Sequence, residues 1–400
     1  MKPAAPCRRL RPSGHAVSRA AIAVALCALG ATAHCAGAAL EGQPATAATS
    51  SASAPSDRRL DVAASPTARA TQSVMLAVAS VGDRIVAAGE RGLVVYSDDC
   101  GATWQQGRVP VSVTLTSLRF VDERQGWAVG HGGIVLVTRD AGATWQKQLD
   151  GRAIALLALA AAKATAAVAT TEETRRALSD AERLVAEGPD KPLFALHFWS
   201  PKRGIVVGAY GIALATEDGG AHWHWIGDRI PNPKGLHLYG LWAQESHVWL
   251  AGEQGLVLRS DDSGRRFQRV ASPYAGSFFG VAGTSPDTAS DVVVFGLRGH
   301  AFRLSTQTSE LLPLNVGVRA SLLTMLPRAE GRALLFDANG QIVELRDEQQ
   351  GARPAGSSPV GPVLGATRAC GNNLALAGLR GVALVDADTM AVVHEKRTVK

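Results

Sequence analysis

Short apolar runs alternate along this chain with clusters of Gly, Asp, Ser and Thr, and the alternation itself repeats. Leu115–Phe120, Gly126–Val129, Ile134–Thr138 and Thr144–Gln148 form one set of four runs, each four to six residues long and rich in β-branched or aromatic residues. Runs this short, bounded by turn formers, predict strands, and the glycines between them cannot sustain a helical stripe. The turn between the second and third runs carries a pair of glycines three residues apart. It occurs as Gly89 to Gly92, Gly130 to Gly133, Gly208 to Gly211, Gly252 to Gly255, Gly296 to Gly299, a degenerate Asp337 to Gly340, and Gly378 to Gly381. The steps between first positions are 41, 78, 44, 44, 41 and 41 residues, so one step holds an insertion. Four strands at a period near forty residues predict a β-propeller blade. Seven copies predict an all-β, seven-bladed β-propeller with a helical insertion between blades two and three. Each glycine of the pair is expected to supply φ > 0 in the turn.

A second element follows in the first four copies, between the third and fourth runs. It is Ser97, Asp99, Gly101 and Trp104; Thr138, Asp140, Gly142 and Trp145; Thr216, Asp218, Gly220 and Trp223; and Ser260, Asp262, Gly264 and Phe267. The Asp carboxylate and the Ser or Thr hydroxyl can take the N–H groups of their own turn. The glycine suits the left-handed position, and the aromatic ring can bury against the neighbouring blade. This is the Asp-box pattern. On these residues the chain resembles the Asp-box (BNR-like) propellers, and more closely the photosystem II stability/assembly factor family and its bacterial relatives outside photosynthesis. The resemblance covers roughly residues 73–395 and is strongest over 84–270. It implies a non-catalytic luminal or periplasmic propeller that binds membrane-protein subunits.

The insertion, 151–188, is Ala-rich, with charges gathered in its second half. That composition predicts a helical hairpin. Thr170 with Glu173 is the expected capping box, and Leu178, Leu184 and Val185 are the expected packing face of the second arm. The insertion is either a partner-docking element or a helix packed on the rim.

Charge changes the picture only at the N-terminus. The 400 residues carry 41 Lys and Arg against 35 Asp and Glu, a formal charge of +6. Lys2, Arg8, Arg9, Arg11 and Arg19 account for the excess, with no acidic residue before position 36. The remainder is nearly neutral, so the basic balance is no argument for nucleic acid. A basic start, an apolar run over 20–33 and small residues after it predict a signal peptide, 1–38, and export to the periplasm through the general secretory route. Ala31-Thr32-Ala33 and Ala36-Gly37-Ala38 are the candidate cleavage sites. Residues 39–68 read as a disordered linker. Leu60–Ala64 either stays unpaired or adds an outer strand to the last blade. The propeller is expected over 69–398, as a monomer.

Candidate chemistry is sparse. Sialidases share Asp boxes, and their reaction needs an arginine cluster, a Tyr–Glu pair and an acid/base Asp. Arg229-Ile230-Pro231 falls between blades three and four, not before the first Asp box, and the four tyrosines sit in strands, a turn and a loop. A secreted glycan-binding or sialidase-like propeller is therefore the alternative reading, and enzymatic activity is not expected. Asp98-Asp99 and Asp261-Asp262 lack the further carboxylates of a calcium cage. No metal or cofactor is expected. Cys100 and Cys370 fall in adjoining blades, in turns that open on the same rim, and are the candidate pair for a disulfide in an oxidising compartment. Against it stands that one turn lies nearer the axis than the other. The candidate partner-binding residues are those of the paired-glycine turns: Arg91, His131, Tyr210, Gln254, Arg298, Asn339 and Arg380. Arg91, Arg298 and Arg380 are expected to form an arginine patch. The partner class is a membrane or envelope protein, with photosystem II subunits implied by the resemblance alone.

Overall fold

The computed structural model describes residues 57–284, 291–305, 310–328, 331–346, 351–393 and 398–399; the predicted signal segment lies outside them. Among these residues the strands form seven antiparallel sheets, each ordered 1-2-3-4 along the chain where four strands are present. The first strands are Met75–Val81, Leu115–Phe120, Leu193–Phe198, Leu238–Gln244, Phe278–Gly283, Leu322–Pro327 and Val363–Arg368. Each packs on the first strand of the next sheet, and Val363–Arg368 packs back on Met75–Val81, so the seven are the innermost strands of a closed circuit. The second strands, such as Gly126–Gly130 and Ala333–Asp337, are buried along their whole length. They therefore read as continuous apolar runs, because both of their faces are covered by neighbouring sheets.

The core sits between sheets. Trp104, 1% exposed, packs with Ala375, Val382 and Leu384 of the seventh sheet. Trp145 packs against Val86 and Val94 of the first, Trp223 against Trp127 and Val137 of the second, and Phe267 against Ile205 and Ala213 of the third. Each ring thus closes the seam to the preceding sheet, where burial of a large aromatic surface is worth most.

Two helices lie between the last strand of the second sheet and the first of the third: α1, Gly151–Val168, and α2, Glu172–Glu187. Asp150 caps α1 by accepting from the Arg152 and Ala153 N–H groups. Ile154, Ala155 and Ala158 of α1 are buried, and α2 packs back on it through buried Ala181 and half-buried Leu178, Leu184 and Val185. The capping box is Thr171 with Thr174, one residue beyond the expected Thr170 and Glu173. Both threonines can cap, and the backbone turns one residue later because Thr174 also donates to the Ala169 carbonyl.

Two termini depart from expectation. Residues 57–68 belong to the packed structure and not to an unstructured linker. Leu60 is fully buried in the cluster of the first two sheets, and Ala64 donates to the Val109 carbonyl. Asp61 holds the segment down by pairing with Lys147 and Arg152, which keep its carboxyl at about 2. Leu60–Ala64 is therefore no outer strand of the last sheet. Among the described residues that sheet has three strands, and its chain continues through a bridge, Val385 to Val392. The backbone at Thr398–Val399 then adds in parallel to Thr103–Trp104 of the first sheet.

Candidate partner-binding face

The turns between second and third strands all leave one end of the sheets, and their construction is shared. The residue after the first glycine donates its N–H to the carbonyl just before the innermost strand: Glu90 to Val74, His131 to Thr114, Ala209 to Pro192, Glu253 to His237, Leu297 to Ser277. This draws the two backbones so close that a Cβ on Gly89 would sit 2.0 Å from the Val74 oxygen, and one on Gly130 2.2 Å from the Thr114 oxygen. The first glycine is thus required by close approach. Its φ is extended, −164° at Gly89, and not positive as expected from sequence. The positive φ belongs to the last two residues of the turn, as at Arg91 (55°) and Gly92 (71°). In the sixth sheet Asp337 replaces the first glycine, and its buried carboxylate accepts from Asn339 and Gln341 N–H at 2.9 and 2.8 Å.

The position before the last glycine therefore holds an exposed residue in the left-handed region. It is Arg91, Tyr210, Gln254 and Arg298 in sheets one, three, four and five, at φ of 51–58°. Such a conformation costs a side-chain-bearing residue about 1–2 kcal/mol relative to its right-handed form. Asn339 and Arg380 are exposed at the same end without positive φ.

The same close approach produces a feature that composition does not reveal. In all seven sheets the register between first and second strands shifts by one residue next to the turn. The extra residues are Leu76, Thr116, Phe194, Tyr239, Phe279, Leu323 and Leu364. They stand at one level of the seven innermost strands, the level of the turns. In sheets three to five they are aromatic and meet: Phe194 to Tyr239 at 5.2 Å and Tyr239 to Phe279 at 5.8 Å between centroids. His237 joins them, 5.8 Å from Tyr239 and 4.7 Å from Tyr210. A β-bulge re-aims a side chain out of the ladder, here toward the shared end.

The acidic groups at this end are engaged inward. Glu90 accepts the Val74 N–H at 3.2 Å. Glu253 accepts the His237 N–H at 2.9 Å and the Tyr239 hydroxyl at 3.3 Å. Arg298 lies near enough to Tyr274 for its charge to oppose the burial that raises the phenol's pKa. Lys234 reaches Gln254 at 3.4 Å.

The model of the family described as "Photosynthesis system II assembly factor YCF48" matches residues 179–289. The photosystem II assembly lipoprotein Ycf48 of Synechococcus sp. (strain CC9902) is 32% identical over 73 residues, 18% of this chain and 22% of that protein. The solved structure titled "YCF48 bound to D1 peptide" superposes with a TM-score of 0.57 at 13% identity, over 78% of this chain and 93% of that one. YCF48 from Cyanidioschyzon merolae gives 0.54 at 13% identity, over 78% and 95%. Residues 179–289 are similar to the Ycf48-like family, and the solved neighbours share the propeller fold. The alignment to the curated relative spans about a fifth of that protein's length. Phe194, Tyr210, His237, Tyr239 and Phe279 all fall within the residues that the Ycf48-like family model matches.

Of the sequence-selected face, six residues are exposed at the turn end and one is not. His131 is half-buried, and its Nε2 is buried without a hydrogen-bond partner among the described residues. Burial and the nearby Arg59 charge hold its pKa below the usual value. In the run Gly130-His131-Gly132-Gly133 the outward, left-handed position falls to Gly132 (φ 68°), which removes His131 from the exposed set. The arginines are spread: Arg380 and Arg91 stand on adjoining sheets, and Arg298 stands two sheets from Arg380 with Asn339 between.

The opposite end carries the Ser/Thr–Asp turns. In the first, Ser97 Oγ accepts the Gly101 N–H at 2.8 Å, and Asp99 accepts the Thr103 N–H at 2.8 Å and its hydroxyl at 2.6 Å. The Trp104 indole donates to the Gly101 carbonyl at 3.0 Å. These bonds, the Thr103 hydroxyl foremost, hold the Asp99 carboxyl at about 2. Thr138, Asp140, Gly142, Thr144 and Trp145 repeat the arrangement. In the third turn His222 takes the threonine's place on Asp218, and in the fourth Asp262 accepts from the Arg265 and Arg266 N–H groups. Each of these carboxylates accepts hydrogen bonds from its own turn, which fits it for holding a hairpin. Cys100, in the first such turn, is bonded to Cys370.

Proposed function

We propose that this chain is a non-catalytic, exported seven-bladed propeller that binds a segment of a membrane or envelope protein on its paired-glycine turn face and serves that complex as an assembly or stability factor. In this reading the seven sheets are the blades, and α1 with α2 is an insertion between the second and third. The observation that carries it is the set of exposed large residues held in the left-handed region, Arg91, Tyr210, Gln254 and Arg298, where glycine would cost less. Positive φ also occurs at the opposite end, at Cys100, Ala141, Glu245 and Ser263, but among the described residues large side chains recur at one equivalent position in the paired-glycine turns, which fits a surface under functional demand. Arginine there can clasp carboxylates in two-point geometry. The structural neighbour YCF48 is bound to a D1 peptide, which supports a peptide segment as the partner class for this chain. Export is supported by the Cys100–Cys370 disulfide, which suits an oxidising compartment, and by a curated relative described as a lipoprotein.

The test is the triple substitution Arg91→Ala, Arg298→Ala and Arg380→Ala, with capture of partners from detergent-solubilised membranes as the readout. Loss of the captured proteins at an unchanged thermal midpoint is the expected result. Retained capture overturns the reading of this face.

A further inference from the structure

We propose that the bulged aromatics Phe194, Tyr239 and Phe279, with His237 and Tyr210, form a subsite for one large apolar or aromatic side chain on an extended, acidic peptide. The inference rests on the partner-face reading above and adds to it what the face recognises. Four observations converge. First, all seven innermost strands carry a bulge at this level, and only three neighbouring sheets fill it with rings. Second, Phe194, His237, Tyr239 and Phe279 are half-buried and Tyr210 is exposed, and within this set only Phe194 and His237 lie near parallel, at 6.2 Å and 27°. The Phe194–Tyr239, Tyr210–His237 and Tyr239–Phe279 planes cross at 46°, 57° and 75°, so they form tilted walls and not a closed plug. Third, the walls are fixed in place: Glu253 accepts from the Tyr239 hydroxyl and the His237 N–H, and the Tyr210 N–H meets His237 Nδ1 at 3.4 Å. A site whose side chains are already held loses little entropy when occupied.

Fourth, charge selects the occupant. Glu253 is engaged on both oxygens, and the outward residues flanking the arc at sheets four and five are Gln254, Lys234 and Arg298. An acidic chain gains there and a basic one does not. The rings lie on the innermost strands, below turns that raise Tyr210 and Gln254 above them. A chain presenting one side chain at a time fits that relief better than a helix face does.

The probes are three synthetic peptides about ten residues long, acetylated and amidated: an acidic one built from Asp, Glu, Gly and Ser around a single Phe, the same with Ser for Phe, and a Lys-based version retaining Phe. Binding to the full chain is followed by isothermal titration calorimetry. The acidic Phe peptide should bind at least tenfold more tightly than the Ser peptide, and the Lys peptide should bind weakest. Tyr239→Ala should bring the Phe peptide down to the Ser peptide's affinity. Tyr210→Ala, at a side chain 57% exposed, should weaken it severalfold with no change in thermal midpoint, and it keeps the test valid if Tyr239→Ala unfolds. Equal affinity for the Phe and Ser peptides, lost together in Arg298→Ala, overturns the subsite and leaves the arginine face standing. No binding of either acidic peptide overturns both. Binding of cellotriose or chitotriose that is lost in Tyr210→Ala also overturns the proposal, by making the arc a carbohydrate platform.

Discussion

Cys100 and Cys370 are joined across a separation of 270 residues, with Cα atoms 5.7 Å apart, and the bond ties the first sheet to the seventh. The backbone at Thr398–Val399 makes the same connection along the outer edge of the first sheet. The circuit of sheets is thus closed by a covalent link at one end and by a strand at its rim. Closing so long a loop restricts the unfolded chain strongly, and removing the bond by Cys100→Ser with Cys370→Ser is expected to cost about 2–4 kcal/mol. Thermal unfolding with and without reductant checks it. The wild type under reductant should fall to the midpoint of the double variant, several degrees lower, and coincident midpoints in all samples would refute a stabilising role.

Close approach, and not backbone sign, sets the order of glycine sensitivity. Gly130 has an extended backbone that any residue adopts, yet an added Cβ would press on the Thr114 oxygen and Leu115 Cα. Gly317 has φ of 71° but nothing within 4 Å of an added Cβ. Gly130→Ala should therefore lose about 3 kcal/mol or more, as overpacking against backbone does, and Gly317→Ala only about 1 kcal/mol. Denaturant midpoints for the two variants decide the order.

The repeat was legible in sequence because glycines and aspartates mark turns at a fixed spacing, and turns are local. What depended on pairing between distant segments was not. The bulge needs the register of two strands, and its residues lie among ordinary strand residues. The available signal was positional: in six sheets the bulged residue precedes the first residue of the turn by thirteen or fourteen. His131 departs from the expected face because three glycines crowd its turn and the outward position falls to Gly132 rather than to the largest side chain. Leu60 was hidden in a stretch of Ala, Ser, Thr and Pro that reads as linker, although one buried leucine beside Gly132 is enough to anchor it. The candidate face was legible as a list of turn residues, but its aromatic floor was not.

Stability and binding should trade against each other at the left-handed positions. Arg298 holds φ of 58° and is exposed, so Arg298→Gly relieves the conformational cost and loses little packing. A gain of about 1 kcal/mol is expected, reduced somewhat by the freedom glycine adds to the unfolded chain. Partner capture should fall in the same variant. A lower denaturant midpoint in Arg298→Gly would mean that the side chain is held by packing and not retained at a cost.

Acid sensitivity should reside partly in His197. It is 5% exposed on the innermost strand of the third sheet, edge-on to Trp199 at 4.8 Å. Burial, with the Arg119 charge adding, drives its pKa down to about 2. The unfolded chain releases this proton near the ordinary histidine value of about 6.5. Above that pH both states are neutral and the group exerts no pull. As pH falls below it, the unfolded state binds a proton that the folded state refuses, so stability declines by about 1.4 kcal/mol per pH unit for a fully shifted group. The carboxylates of the Ser/Thr–Asp turns add a loss of the same direction only lower, because Asp99 and Asp140 have pKa values below the ordinary 3.8 and protonate in the unfolded state first. The interval between pH 6.5 and 4.5 therefore isolates the histidines, with His131 shifted in the same sense. His197→Phe keeps an aromatic ring against Trp199 and removes the titration. Urea unfolding at pH 7, 5.5 and 4.5 should show the wild type losing stability across the series and the variant losing distinctly less. Parallel losses in the two proteins would place the acid sensitivity elsewhere.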